Sequence, residues 1–124
     1  MASIIVITGE QKGHYCPLGR RTTVIGRNET LPFQVLDEKV SRKHLKIRFD
    51  TETETYLASD MGSKHGTLIN GLKVTSEMML ADNDYVTIGK THLMFTLEDF
   101  DTRESALNHY KKVGEHSRPT ETIV

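Results

Sequence analysis

Turn chemistry interrupts this chain every few residues, and that spacing limits the fold more than any other feature. Gly9-Glu10-Gln11-Lys12-Gly13, Gly19-Arg20, Asp37-Glu38-Lys39, Asn70-Gly71, Ala81-Asp82-Asn83-Asp84 and Gly89-Lys90 are each built on glycine or short polar side chains, all but Asn70-Gly71 with charge. Such clusters favour tight turns over continued regular structure. The runs between them cover 3–8, 14–18, 21–25, 33–36, 44–49, 55–59, 67–69, 72–74, 78–80, 85–88 and 92–97. They are short and rich in β-branched and aromatic residues, so each reads as a strand. In 44–49 the alternation is strict: Leu45, Ile47 and Phe49 share one face, Lys46 and Arg48 the other. Asn70-Gly71 is the strongest two-residue hairpin signal in the chain. Roughly ten short strands and no helical pattern before residue 101 predict an all-β sandwich or barrel.

With 124 residues, one domain and one core are expected. Lys+Arg 16 against Asp+Glu 17 gives a net charge of -1, which argues against a general nucleic-acid binder. It leaves room for a local basic patch, because the field at a cleft depends on where charges sit. Cys16 is the one cysteine and has no internal partner, which favours a reducing, cytoplasmic setting, with the nucleus as the eukaryotic variant. No apolar run is long enough to span a bilayer. The opening Ser3-Ile4-Ile5-Val6-Ile7 lacks a basic leader and reads as the first strand.

After Phe100 the pattern changes. Asp101 is an N-cap candidate with Glu104 three residues on, and Ala106, Leu107, Tyr110 and Val113 fall at helical spacing. Lys111 and Lys112 suit a last turn and Gly114 a C′ position. The expected organisation is a β-domain over 1–100, a helix over 101–114 that packs on the sandwich or on a second copy, and a disordered tail or linker over 115–124.

Three polar phrases stand out between Gly26 and Gly71: Gly26-Arg27, Ser41-Arg42-Lys43-His44, and Gly62-Ser63-Lys64-His65-Gly66-Thr67. Together they place cations, hydroxyls and flexible backbone on loops, a combination that suits an anion. Arg27 offers a five-donor fork for phosphate or carboxylate, or is a solvated turn arginine. Ser41 can donate to an anion or bond its own turn, and His44 can pin a loop through its two ring nitrogens. The two glycines of 62–66 free backbone N–H groups to turn toward a ligand, and Lys64 and His65 add donors. This is not a P-loop, since the Gly-Lys-Ser/Thr order is absent. No nucleophile elbow, HExxH or paired-cysteine motif is present, so neither an enzyme nor a metal or cofactor site is expected. Ser41, His44 and Asp60 supply triad residue types, but their spacing at a strand start does not favour a nucleophile–base pair.

Taken in order, Gly26-Arg27, Ser41-Arg42-x-His44, Gly62-Ser63-x-x-Gly66-Thr67 and Asn70-Gly71 resemble the forkhead-associated (FHA) family over about residues 3–98. The resemblance implies an eleven-stranded β-sandwich of two sheets that binds phosphothreonine in partner proteins through loops at one end. It implies phosphate contacts for Arg27 and Ser41, a further phosphate or peptide contact for Arg42, and a place near the phosphate for Lys64. Lys39 would lie where the third residue after the phosphothreonine is read. His44 would brace the Ser41 loop, and Gly26, Gly62, Ser63, Gly66, Thr67 and Asn70 would shape the loops. His65 stands where many members carry an asparagine that holds the peptide backbone; an imidazole replaces one amide bond but not a donor–acceptor pair. The implied function is a phosphothreonine-dependent protein-interaction module. The alternative is an FHA-like scaffold for an unphosphorylated partner, its phosphate site weakened by His65. Neither reading involves nucleic acid or membrane.

The last residues, Pro119-Thr120-Glu121-Thr122-Ile123-Val124, raise a further expectation. Phosphorylated Thr120 would carry Ile123 three residues on, as a possible self-ligand of this domain or a neighbour; the plainer reading is a solvated linker.

Overall fold

The computed structural model describes residues 2–98 and 105–111. Within them, eleven strands form two sheets: β1 (Ser3–Val6), β2 (Tyr15–Pro17), β3 (Thr23–Gly26), β4 (Phe33–Gln34), β5 (Leu45–Asp50), β6 (Thr55–Asp60), β7 (Thr67–Ile69), β8 (Leu72–Lys73), β9 (Met78–Met79), β10 (Tyr85–Ile88) and β11 (Thr91–Thr96). One sheet has the order β2-β1-β11-β10-β7-β8, the other β4-β3-β5-β6-β9. The sheets face each other across a core of Ile4, Val6, Leu18, Ile25, Leu45, Ile47, Ile88, Leu93 and Phe95, all fully buried. This is the two-sheet sandwich rather than the barrel.

Most strands fall where the turn punctuation places them. The 33–36 run pairs only as β4, parallel to the end of β3 through Ile25↔Phe33 and Gly26↔Gln34. Val35 then donates to the Gly26 carbonyl at 2.7 Å and the chain leaves the sheet. Pro17 ends β2 without breaking it, because β2 is an edge strand and its missing N–H is not needed. Asp60, which reads as loop from sequence, is the last residue of β6 and pairs with Leu45.

β1 is buried on both faces. Ile4 and Val6 enter the main core, while Ile5 and Ile7 point outward into a second cluster with Met94 and Ala106. Tyr15, Ile5, Met94 and Tyr85 form one row across β2, β1, β11 and β10. A helix over 105–111, here α1, lies on that row through Ala106, which is fully buried, and Tyr110. The helix therefore packs on the sandwich. Asp101, Val113, Gly114 and the tail expectation at Thr120 and Ile123 lie outside the described residues.

Candidate functional site

The site begins at a backbone crossing. β3 ends at Gly26, and a Cβ there would stand 2.2 Å from the Arg42 carbonyl oxygen and 2.9 Å from that of Ser41. Real Cβ atoms do not approach so closely, so only glycine lets the two segments cross. The crossing is tied by Arg27 N–H donating to Ser41 O at 3.0 Å and Asn28 N–H to Arg42 O at 3.1 Å. Arg27 Nε–H donates to Val40 O at 3.0 Å, which fixes the guanidinium and leaves the terminal nitrogens of its fork for a ligand.

His44 joins the loops on either side. It is fully buried, and its Nδ1 accepts from Ser41 N–H at 3.0 Å. Nδ1 is thus the acceptor, Nε2 carries the hydrogen, and it donates to Gly66 O at 2.7 Å. Ser41 Oγ accepts from Lys64 N–H at 3.0 Å, so the single hydroxyl proton of Ser41 remains to be donated. The triad residue types do lie close together, but Ser41 meets His44 through its backbone N–H and not its hydroxyl.

Two carboxylates staple the loops. Asp60 accepts from Ser63 N–H at 2.9 Å, Ser63 Oγ–H at 2.6 Å and Thr67 Oγ1–H at 2.7 Å, and Ser63 Oγ accepts from Gly66 N–H at 2.9 Å. Burial pushes the Asp60 carboxyl up, but these hydrogen bonds, with His44 nearby, outweigh it and hold the group below the usual carboxylate range. Asp37 accepts from Lys39 N–H at 2.8 Å, Lys90 N–H at 2.7 Å and Thr91 Oγ1–H at 2.8 Å, tying the 35–40 loop to the β10–β11 turn. It too is held low: burial raises it, and the same donors more than offset this.

The result is an open cleft of about 320 Å³ lined by Arg27, Glu38, Lys39, Val40, Ser41, Lys64 and His65. Three cations face one carboxylate there, and Arg27, Lys39, Lys64 and His65 are all exposed. In a chain of net charge -1 this is a local positive patch. A guanidinium fork, a hydroxyl and an ammonium around one space can hold an oxyanion by charge-assisted hydrogen bonds, at roughly 1.5–3 kcal/mol for each bond to a charged group.

Five residues singled out in the sequence share this space: Arg27, Lys39, Ser41, Lys64 and His65. Arg42 lines a neighbouring hollow with Arg27, Asn28, Glu29 and Gln34 instead. Gly62 and Gly66 turn the loop with φ of 71° and 83°. Asn70 lies apart, bracing the start of β10 by donating to Asp84 at 2.9 Å and accepting from Tyr85 N–H at 2.9 Å. Sequence reading gave no role to Asp37 or Glu38 and did not see Asp60 as a staple. The spacing of Asp60 and Ser63, with a glycine between them, is the signal of an Asx-type turn that was available for Asp60.

Comparison with known proteins assigns the fold to a family. The family model described as "Inner membrane component of T3SS, cytoplasmic domain" matches residues 5–99. The FHA domain-containing protein FhaA of Mycobacterium tuberculosis is 32% identical over 92 residues, covering 74% of this chain and 17% of FhaA. The chain thus spans less than a fifth of that relative's length. A structure from a structural and functional analysis of phosphothreonine-dependent FHA domain interactions superposes with a TM-score of 0.70 at 28% identity, covering 80% of this chain and 98% of the other. The crystal structure of the FhaA FHA domain complexed with the intracellular domain of Rv3910 gives 0.68 at 29% identity, covering 77% and 99%. The chain belongs to the family of the matched model, and it is a forkhead-associated (FHA) domain.

Proposed function

We propose that this domain is a non-catalytic reader of phosphothreonine in partner proteins. One observation carries the reading: the Arg27 fork and the Ser41 hydroxyl are each anchored by one bond to loop backbone and border the same open cleft with Lys64. Arg27 and Ser41 hold the phosphate, Lys64 adds charge, and Lys39 and His65 meet the flanking peptide. Arg42 contacts ligand from the adjoining hollow. The related structure solved for phosphothreonine-dependent FHA interactions supports the same chemistry. The reader occupies about residues 1–100 and works inside the cell; among the described residues no helix is long and apolar enough to cross a membrane.

The test is a titration with a degenerate phosphothreonine peptide set and its unphosphorylated twins, on the natural chain and on Arg27→Ala. Removing two charge-assisted bonds is expected to weaken phosphopeptide binding by about 100-fold or more and to leave the unphosphorylated twins unchanged. Equal affinity for both twins overturns the reading and favours an unphosphorylated partner, with His65→Asn as the reversion to try.

A further inference from the structure

One residue of the cleft works against a bound phosphate. Glu38 stands among Arg27, Lys39 and Lys64, yet its exposed carboxylate makes no hydrogen bond or ion pair among the described residues. In a cleft of about 320 Å³ it repels the anion that the three cations attract, with little screening across so short a gap. Glu38 and Lys39 also line a second groove of about 380 Å³, together with Leu36, Thr8, Thr91 and Lys90. The Asp37 carboxylate in that groove is occupied by the backbone N–H groups of Lys39 and Lys90 and by the Thr91 hydroxyl. The Glu38 carboxylate keeps its full acceptor capacity for a ligand. Leu36, in the same groove, is 67% exposed. Its loop is tied at both ends: Gln11 Oε1 accepts from Leu36 N–H at 2.9 Å, and Val40 N–H donates to Asp37 O at 3.0 Å. An uncovered apolar side chain and an open carboxylate therefore line one anchored groove that adjoins the cleft.

We infer that Leu36 and Glu38 together read a lysine or arginine of the partner, so that this domain selects phosphothreonine segments carrying a long basic side chain close by. The inference rests on the phosphothreonine reading above and names the ligand class for the same site. Lysine and arginine lay their methylene stems on apolar surface and carry charge at the far end. Over this groove the stem covers Leu36 and the head pairs with Glu38. Other residue types meet only half of the groove. A leucine or valine covers Leu36 but strips water from Glu38 without pairing it. An aspartate or glutamate is drawn to Lys39 or Lys90 but meets Glu38 with like charge. Arg27 and Lys64 do not compete for Glu38, because the phosphate dianion engages them. An extended ligand rises about 3.3 Å per residue, so it enters the adjoining groove within about four residues of the phosphothreonine. An exposed ion pair contributes modestly and like charge costs as much, so exchanging lysine for glutamate at the position that meets Glu38 changes affinity about tenfold.

The experiment titrates the full chain with a phosphothreonine peptide that it binds, remade with lysine, alanine or glutamate at each position up to about four residues either side of the phosphothreonine. The same series is run on Glu38→Lys and on Leu36→Ser, with unphosphorylated twins throughout. The expected result for the natural chain is one position at which lysine binds about tenfold more tightly than glutamate, with alanine between them. Glu38→Lys should reverse that order at the same position, and Leu36→Ser should shrink the gain of lysine over alanine. A natural chain that favours lysine at no position overturns the inference, as does a lysine preference that survives Glu38→Lys. If the unphosphorylated twins bind as tightly, or no phosphopeptide binds, the reader function fails and the inference with it, a result distinct from a phosphate-dependent series that is flat between lysine and glutamate.

Discussion

Gly26→Ala tests the crossing on which the site stands. The added Cβ would lie 2.2 Å from Arg42 O, 2.8 Å from Arg42 C and 2.9 Å from Ser41 O. All three are backbone atoms, so no side chain can rotate away, and the strands must separate by about 1 Å to reach a tolerable contact. The bonds from Arg27 N–H to Ser41 O and from Asn28 N–H to Arg42 O span that gap at 3.0 and 3.1 Å. An opening of 1 Å breaks both, at about 1 kcal/mol each, and overpacking adds about 1–3 kcal/mol. The expected loss is about 3–5 kcal/mol, read as the drop in unfolding free energy in urea. With a shift of about 4 °C per kcal/mol, the melting temperature should fall by about 12–20 °C. Phosphopeptide binding should fall as well, measured well below the new midpoint, because Ser41 moves with the strand. A melting temperature within about 2 °C of the natural chain, with binding intact, would show that the crossing is not the constraint described.

Two further substitutions separate the staples from the scaffold. Asp60 is held below the ordinary carboxylate value in the folded chain, so its stabilisation is complete above the unfolded pKa, about 3.9, and is lost as pH falls through the lower folded value. Asp60→Asn should therefore be less stable than the natural chain at pH 6, with the gap in urea unfolding narrowing below pH 4; a gap that does not change with pH refutes the assignment. Gly71 has a φ of 82° in the β7–β8 turn with open space where a Cβ would go, so Gly71→Ala should cost about 1 kcal/mol of backbone strain. Because that turn is apart from the cleft, phosphopeptide affinity should stay within twofold, and a larger loss would mean that the turn and the cleft are coupled.

What could be read from the sequence was local. Asn70-Gly71 demanded positive φ at both turn residues, and they have 51° and 82°. The strict alternation of 44–49 placed Leu45 and Ile47 inside, and both are fully buried. β1 carried a subtler signal: a strand without alternation needs cover on both faces. The helical spacing of Ala106 and Tyr110 showed an apolar face in want of a surface. That these two answer each other depends on the row Tyr15–Ile5–Met94–Tyr85, assembled from four strands, and no periodicity within one segment reports it.

The site divides the same way. The residue types able to hold an anion are visible in three phrases, but their convergence is set by contacts between distant segments. Asp37 is bonded to Lys90 and Thr91 more than fifty positions away, and His44 reaches twenty-two positions to Gly66. Both make the bonds a turn aspartate or a loop histidine would make anywhere, so their residue types alone do not mark them. Gly26 is the exception, because its reason is steric and leaves no alternative residue. The cleft therefore depends on a few polar groups outside its lining, His44 buried and Asp37 and Asp60 half-buried. Substitutions at Asp37, His44 or Asp60 should damage recognition as much as substitutions at the exposed cations, by releasing the loops rather than by removing charge.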